Sequence, residues 1–221
     1  MIVLPVEQGS PEWLYARLGL PSCSQFDRIL TPRKRQYAAA ARGYLYELVA
    51  EWLLGYPMDH GSTQYMQRGT DMETEARAWY EMQRDVEVTR VGLVLRDDKL
   101  VAGSPDGLVG EDGGVEIKVP AAHTHVGYLL GDEPDYVGQI QGYMYLTGRR
   151  WWDFCSYSPA LPSVLVRIER DDEYIAALEG ALHLFLDDLA EAKDKLAAYR
   201  KESILLHAAG GELLASVEAG V

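Results

Sequence analysis

The sequence has 221 residues, of which 48% are hydrophobic and 25% are charged, so it can form one substantial domain with an apolar core. Its 34 acidic and 21 basic residues give a formal net charge of −13, which argues against a uniformly basic DNA-binding surface but permits a basic groove inside an acidic exterior. The N-terminus MIVLPVEQGS lacks a secretory signal, and no apolar run approaches the roughly 18 residues of a membrane span, so we expect a cytoplasmic protein with no membrane partner.

A short helix is predicted near the N-terminus, within Glu7–Leu20. Ser10 followed by Pro11 is typical of a helix start, because the serine caps the helix and the proline suits its first position. Arg17 falls near the end of this helix. It can complement the helix dipole or bind a phosphate, and its position alone favours the dipole.

The next segments combine hydroxyl groups with positive charge. Residues 22–24 read SCS and precede a second short helix, Gln25–Leu30, whose start is a natural phosphate site. The basic turn Thr31–Gln36 either contacts a DNA backbone or is a solvated loop. A long amphipathic helix is predicted over Tyr37–Leu54.

A further helix is predicted over Gln64–Met82. It carries Glu73 four residues before Arg77, so the two side chains share a face. Glu73 is therefore either part of an exposed ion pair or a further acidic group over a metal site. Two strands, Val86–Thr89 and Gly92–Arg96, are predicted to follow.

The centre of the chain is predicted to be a β-hairpin that carries three charged groups. Its two apolar strands, Leu100–Ala102 and Val115–Val119, flank a turn rich in glycine and acidic residues. Asp106 follows the first strand. Glu116 and Lys118 lie two apart in the second strand and should therefore project from the same face.

These groups suit metal-assisted phosphodiester hydrolysis. Two carboxylates can hold a hard divalent cation, and a lysine can hold a phosphate oxygen or an attacking water. The spacing alone favours an ordinary surface hairpin with a cross-strand ion pair. The bend set by Pro105 and Gly107, and the apolar neighbours of Glu116, favour a buried metal site.

Beyond this hairpin, Ala121–Asp135 is predicted to be a loop that could cover the site. His123 and His125 lie within it, but no third ligand of matching type is nearby, which argues against zinc. A helix over Val137–Leu146 places Gln139 on one stripe.

The last third of the chain is predicted to hold two strands and a long helix. The strands are Arg149–Tyr157 and Ser163–Arg170, the helix is Asp171–Tyr199, and the tail from about residue 206 to 221 is expected to end loosely. Cys23 and Cys155 follow no metal-ligand spacing and are expected to be packed thiols.

Several segments, in this order and spacing, resemble the lambda-type phage exonucleases of the YqaJ-like viral recombinase family, within the PD-(D/E)xK nuclease superfamily. The matching stretches are EQGSPEWLYARLG, RGTDMETEARAWYE, AGSPDGL with GGVEIKVP, and YVGQIQGYMYLTG. The resemblance implies that Asp106, Glu116 and the backbone carbonyl of Ile117 bind the metal, while Lys118 orients and activates the water.

The same resemblance assigns five further residues. Glu73 matches an upstream acidic residue near the metal, and Gln139 matches a helical glutamine that lines the active site. Arg17 and Ser24 fall where the family binds a terminal 5′-phosphate, which reverses the preference for the helix dipole. Arg33 falls where the family contacts the duplex.

The implied fold is α/β, with a restriction-endonuclease-like core in which a central mixed sheet is flanked by helices, as one nuclease domain over residues 1–221. The implied activity is Mg²⁺-dependent 5′-to-3′ digestion of linear duplex DNA ends to 5′-mononucleotides, with Mn²⁺ able to substitute. The implied assembly is a homotrimer ring, and the implied partner is a protein that anneals the remaining 3′ single strand. A ring with basic groups in its channel would also reconcile DNA binding with the acidic composition.

Two alternatives stay open at this point. One is a structure-selective or restriction-type endonuclease on the same core. The other is a DNA-binding recombination scaffold with a vestigial site, which the complete set of Asp106, Glu116 and Lys118 disfavours.

Overall fold

The computed structural model describes residues 1–58 and 64–218, with side chains described for 1–58 and 72–200. Within these residues the chain forms eight strands: β1 (Ile2–Leu4), β2 (Val88–Thr89), β3 (Leu93–Leu95), β4 (Ala102–Gly103), β5 (Gly107–Val109), β6 (Gly113–Lys118), β7 (Trp151–Ser156) and β8 (Val164–Glu169). A 3₁₀ helix covers Cys23–Arg28, and the α-helices are α1 (Pro11–Ala16), α2 (Ala41–Leu54), α3 (Gln64–Arg84), α4 (Ala122–Leu129), α5 (Val137–Thr147) and α6 (Asp172–Glu218).

The central sheet has five strands in the order β2-β5-β6-β7-β8. β6 pairs with β5 in the antiparallel sense and with β7 in the parallel sense, so the sheet is mixed. The parallel pair needs a crossover connection, and the segment between β6 and β7 supplies it with α4 and α5. This arrangement confirms the predicted α/β fold with helices flanking a mixed sheet.

Helices cover both faces of this sheet. On one face, Ala76 and Tyr80 of α3 pack against the side chains of Val115 and Ile117 in β6. On the other face, the larger apolar cluster joins β7 to α2, α5, α6 and the 3₁₀ helix. Since alternate residues of a strand face opposite sides, Glu116 and Lys118 lie on the α5 side of β6.

Two glycines let β6 approach β7 closely. A Cβ atom added at Gly113 would lie 2.0 Å from the ring of Trp151, and one added at Gly114 would lie 2.3 Å from the ring of Trp152. Neither distance is compatible with a side chain, so the large indoles of β7 can lie across β6 only because these positions are glycine.

A second, three-stranded sheet has the order β1-β3-β4 and corrects the predicted hairpin. The prediction that Leu100–Ala102 pairs with Val115–Val119 is wrong, because β4 pairs with β3 instead. The true hairpin partner of β6 is β5, at Gly107–Val109. Asp106 therefore lies in the link between the two sheets, immediately before β5, rather than at the end of a paired strand.

Other boundaries also differ from prediction. Ala121–Asp135 is not a loop, because Ala122–Leu129 forms α4. The last helix continues beyond Tyr199 to Glu218, which differs from the expected loose tail, and 219–221 lie outside the described residues. The N-terminal strand β1 was not predicted.

The remaining expectations about the core agree with the structure. Both cysteines, Cys23 and Cys155, are buried free thiols, as predicted. Ser10 caps α1 by accepting a hydrogen bond from the backbone N–H of Trp13 at 3.2 Å. Among the described helices, none combines the length and apolar character that a membrane crossing requires.

Candidate active site

Glu116 and Lys118 project together from β6, as their spacing predicts. The Lys118 ammonium Nζ lies 2.5 Å from Glu116 Oε1. The Glu116 side chain is only 1% exposed, whereas that of Lys118 is 28% exposed. Lys118 lines the cavity, and its Nζ also lies 4.8 Å from the ring centroid of Tyr136.

Asp106 reaches β6 at the point where its pairing with β5 ends. The last paired residues are Gly107 and Val115, so the edge of β6 beyond Val115 is free on that side. Asp106 Oδ2 fills this gap by accepting a hydrogen bond from the Ile117 backbone N–H at 2.7 Å. Because the N–H and C=O of one strand residue leave on the same side, the Ile117 carbonyl also lies on the Asp106 side of β6.

The two oxygens of Glu116 have different surroundings. Oε1 accepts from Lys118 and from Gln139 Nε2, the latter at 2.7 Å. Oε2 is buried and has no hydrogen-bond partner among the residues that the structure describes. A buried carboxylate oxygen without a partner is costly, so this atom fits a role as a ligand to a cation from outside the chain.

The pKa shifts within the cluster also favour a cation site. Burial, together with the negative charge of Glu116, raises the pKa of Asp106 to about 8. Burial opposes the charge on Lys118, but the carboxylates of Glu116 and Asp106 outweigh it and raise the pKa of the ammonium above its usual value. Two carboxylates that repel each other in this way are suited to share a divalent cation.

Asp106, Glu116 and the Ile117 carbonyl therefore form a donor set of hard oxygens that fits Mg²⁺ or Mn²⁺. The described side chains contain no cluster of three or more His, Cys, Asp or Glu residues that could hold a metal. A site of this kind consequently depends on the backbone carbonyl, and on oxygens from water or substrate, to complete the coordination.

Glu73 combines the two interpretations considered for it. It forms an ion pair with Arg77, whose side chain is only 9% exposed, so the pair is partly buried rather than exposed. Glu73 also lines the same cavity as Asp106 and Glu116, and its charge helps to raise the pKa of Asp106. It is therefore a third carboxylate at the edge of the cluster.

The same cavity also contains the groups expected to bind phosphate. Arg17 Nη2 donates to Ser22 Oγ at 3.2 Å, and Ser22 Oγ lies 3.3 Å from Ser24 Oγ. The Arg17 guanidinium also lies over the ring of Trp13, 4.5 Å from its centroid. Trp13 is held in turn by Ser104, whose Oγ accepts from Nε1 at 2.9 Å.

The carboxylates and the groups expected to bind phosphate line one cavity of about 560 Å³. The predicted residues that line it are Arg17, Ser24, Glu73, Asp106, Glu116, Ile117, Lys118 and Gln139. Eight residues from six separate segments thus line one cavity, and their roles are predictions.

Arg33 is the predicted site residue that the structure does not bring to this cavity. It is exposed and lines a separate depression with His123, Asp132, Glu133 and Asp135. The surroundings are strongly acidic, which is unfavourable for a DNA backbone on this chain alone.

His125 has a structural position. Its ring is buried, with Nε2 2.9 Å from the carbonyl oxygen of Pro162 and Nδ1 2.7 Å from Ser156 Oγ. A carbonyl can only accept, so Nε2 carries the proton that this contact needs. Both ring nitrogens are used within the protein, which ties α4 to the end of β7.

Sequence reasoning missed four residues that line the cavity or connect its parts. These are Trp13, Ser104, Tyr136 and Tyr143. For Tyr143, the helical spacing does predict a position on the same stripe as Gln139, because residues four apart share a face, but it does not predict a role in the site. The contacts of Trp13 and Ser104 join segments 91 residues apart and leave no local pattern.

The fold and this cavity, compared with known proteins, define the chain as a nuclease. The structure resembles an alkaline exonuclease (LHK-Exo) from Laribacter hongkongensis, with a TM-score of 0.77 and 37% identity over 89% of this chain and 100% of that one. The same enzyme in complex with dAMP matches at 38% identity and a TM-score of 0.77, over 87% of this chain and 99% of the other. The model of the YqaJ-like viral recombinase domain matches residues 12–150, more than half of the chain. The chain therefore belongs to the YqaJ-like viral recombinase family.

A more distant structure supports the fold alone. A phage related exonuclease from Haemophilus somnus 129PT matches with a TM-score of 0.58 and 18% identity, over 85% of this chain and 96% of that one. A comparison with curated proteins gave no match.

Proposed function

We propose that the protein is a Mg²⁺-dependent exonuclease that digests linear duplex DNA from the 5′ end and releases 5′-mononucleotides. The observation that carries this proposal is that Asp106, Glu116 and Lys118 line the same cavity as Arg17 and Ser24. A cleavage site beside a phosphate-binding wall is what end-directed hydrolysis requires. Membership of the YqaJ-like family, and the likeness to an alkaline exonuclease, support the same reading.

The metal would be held by Asp106, Glu116 and the Ile117 carbonyl, with Mn²⁺ able to replace Mg²⁺. A bound divalent cation supplies Lewis-acid polarisation of the scissile phosphate and a lower pKa for the attacking water. The partnerless Glu116 Oε2 supports this assignment.

The side chains around the carboxylates would position the reactants. Lys118 carries its positive charge at the cavity surface and can donate to the attacking water or to a phosphate oxygen. Gln139 fixes the orientation of Glu116 through its hydrogen bond to Oε1. Glu73, at the edge of the cluster, adds negative charge that increases the attraction for a cation.

Arg17 and Ser24 would recognise the 5′-terminal phosphate. A terminal phosphate carries more negative charge than an internal one, and the planar fork of an arginine can hold two of its oxygens. Each cut would create a new 5′-phosphate for the same clamp, which gives the reaction its 5′-to-3′ direction. Arg33 would contact the duplex farther from the cleavage point.

The test is a rate comparison on matched linear duplexes that differ only in having a 5′-phosphate or a 5′-hydroxyl group. We expect the phosphorylated end to be digested faster in Mg²⁺, with the complementary strand left intact. Arg17→Ala should erase this preference and slow digestion about 10- to 100-fold, because it removes a hydrogen bond to a charged group. Arg42→Ala is the matched control, because Arg42 is an exposed arginine that bonds to Tyr46 outside the cavity.

The alternatives give different results in the same assay. Cleavage of closed circular DNA would identify an endonuclease instead. DNA binding without cleavage in Mg²⁺ or Mn²⁺ would identify a recombination scaffold. Equal rates on both kinds of end, or an unchanged preference in Arg17→Ala, would exclude the phosphate clamp while leaving the nuclease assignment in place.

We further propose that three copies form a ring around the duplex, and that a single-strand annealing protein takes over the 3′ strand that digestion leaves. The acidic composition supports a ring, since basic groups in a channel would confine DNA to the inside. The native mass in solution should then be three times the 24.7 kDa of one chain. A strictly monomeric protein that digests long DNA without dissociating would contradict the ring. Action on DNA ends during recombination would take place in the cytoplasm of a bacterial or phage-infected cell.

A further inference from the structure

Tyr143 belongs to a chain of hydrogen bonds that reaches Glu116 through Gln139. It is buried in α5, and its hydroxyl donates to the backbone carbonyl of Ser104 at 3.0 Å. A carbonyl oxygen can only accept, so the single hydroxyl proton of Tyr143 is committed to Ser104. The tyrosine oxygen can then act only as an acceptor toward its other neighbour.

That neighbour is Gln139, whose Nε2 lies 2.7 Å from the Tyr143 hydroxyl. Because the hydroxyl must accept, the glutamine has to present its NH₂ group, and not its carbonyl, to the tyrosine. The same Nε2 also lies 2.7 Å from Glu116 Oε1. Its two protons are therefore shared between Tyr143 and Glu116, and the orientation of the amide follows from the network.

This orientation decides which oxygen of Glu116 stays free. Oε1 accepts from Gln139 and from Lys118, so the carboxylate is held with Oε2 buried and without a partner among the described residues. The chain of bonds also starts two residues before Asp106, at Ser104. It thereby links the two segments that carry the carboxylates, the link before β5 and the strand β6.

We infer that Tyr143 is a positioning residue, which acts through Gln139 to keep Glu116 Oε2 free for the cation. This inference rests on the metal site proposed above. Without the hydroxyl, the Gln139 amide loses the acceptor that fixes it and can rotate its carbonyl toward Glu116, where two acceptors would repel. Glu116 could then turn, and the pair of carboxylates would no longer be held ready for a cation before it binds.

The experiment compares Tyr143→Phe with Tyr145→Phe. Phenylalanine at 143 keeps the ring, which packs against Trp152 with 5.3 Å between centroids, and removes only the hydroxyl. Tyr145 lies on the same helix, and its hydroxyl accepts from Arg96 at 3.0 Å outside the cavity. Each variant loses one hydrogen-bonded hydroxyl. Tyr145→Phe therefore controls for the loss of stability that removing such a hydroxyl causes.

The readout is calorimetric binding of Mn²⁺ to the full-length protein without DNA. Removing a partner behind a metal ligand weakens metal binding by about tenfold at the lower end of the usual range, so we expect that loss for Tyr143→Phe and none for Tyr145→Phe. In a Gln139→Ala background, Tyr143→Phe should have little further effect, because the tyrosine acts through the glutamine.

Three outcomes would overturn the inference. Mn²⁺ affinity could be unchanged in Tyr143→Phe, it could fall equally in Tyr145→Phe, or the losses from positions 139 and 143 could simply add. Failure of the underlying metal site would look different, since the parent protein would then bind Mn²⁺ no better than Glu116→Ala. A fall in thermal stability without a change in affinity would assign Tyr143 a purely structural role.

Discussion

Replacing Lys118 tests the chemistry and the electrostatics of the site together. Lys118→Met keeps most of the aliphatic stem beside Tyr136 and removes the ammonium that lies 2.5 Å from Glu116 Oε1. The expected result is a loss of turnover, because among the described side chains Lys118 is the cation that forms an ion pair with Glu116. A positioned proton-transfer group typically contributes 10²- to 10⁴-fold, so kcat should fall by about that factor.

The same change should destabilise the metal-free protein by a limited amount. Removing one partner of a fully buried ion pair costs about 3–5 kcal/mol, because the other charge is left uncompensated. The Lys118 side chain is 28% exposed, and Gln139 still donates to Glu116, so we expect about 1–3 kcal/mol. Saturating Mg²⁺ should recover much of this loss, since a cation would again neutralise Glu116.

Two measurements check this prediction: single-turnover cleavage of a labelled duplex, and urea unfolding in EDTA and in Mg²⁺. Binding of DNA should survive, because Arg17 and Ser24, the groups proposed to hold the phosphate, are unchanged. Near-normal cleavage by Lys118→Met would refute the catalytic assignment. A stability loss of equal size in EDTA and in Mg²⁺ would instead show that the cation does not bind beside Glu116.

Two further predictions concern buried carboxylates. In EDTA, the pKa of Asp106 is raised from 3.8 to about 8. Between these two pH values the folded protein therefore binds more protons than the unfolded chain. The free energy of unfolding should fall as pH rises, by at most about 1.4 kcal/mol per pH unit. Urea unfolding between pH 5 and about pH 9 should show this slope, and Asp106→Asn should flatten it; a slope unchanged in Asp106→Asn would contradict the assignment. Asp153 is fully buried in β7 and accepts from Arg167 at 2.9 and 3.0 Å and from Tyr80 at 2.9 Å, so Asp153→Ala should cost about 2–4 kcal/mol in urea unfolding. Because Asp153 faces away from the cavity, the preference for 5′-phosphate should stay the same, and a lost preference in folded protein would contradict this separation.

The part of the site that could be predicted from sequence is the part set by local periodicity. Glu116 and Lys118 share a face because a strand repeats every two residues, and Gln139 lies on the inner stripe of a helix that was predicted almost to its ends. The pairing of β6 was harder, because Leu100–Ala102 and Gly107–Val109 are both short and apolar. The bend at Asp106 decides between them, and it moves the first of these segments into the other sheet.

What could not be predicted depends on contacts between distant segments. The Ser104 to Tyr143 bond spans 39 residues, and the Trp13 to Ser104 bond spans 91. Asp153 did give a local signal, since a lone carboxylate within the apolar strand WWDFCS requires a partner. Of its partners, Tyr80 precedes Asp153 in the sequence and Arg167 follows it, and these contacts become evident only in the folded chain.

The charge pattern explains why such a protein would act at DNA ends. Several of its arginines are already neutralised within the chain, including Arg28 by Glu47, Arg35 by Asp171 and Arg167 by Asp153. With a net charge of −13, a single chain repels the phosphates along a duplex, so the binding of one chain to internal DNA should be weak. A terminal phosphate is the place on DNA where one arginine meets the most negative charge. The clamp of Arg17 and the carboxylate cluster lie in one cavity, so under the proposed function the same contact that selects an end also delivers it to the catalytic groups.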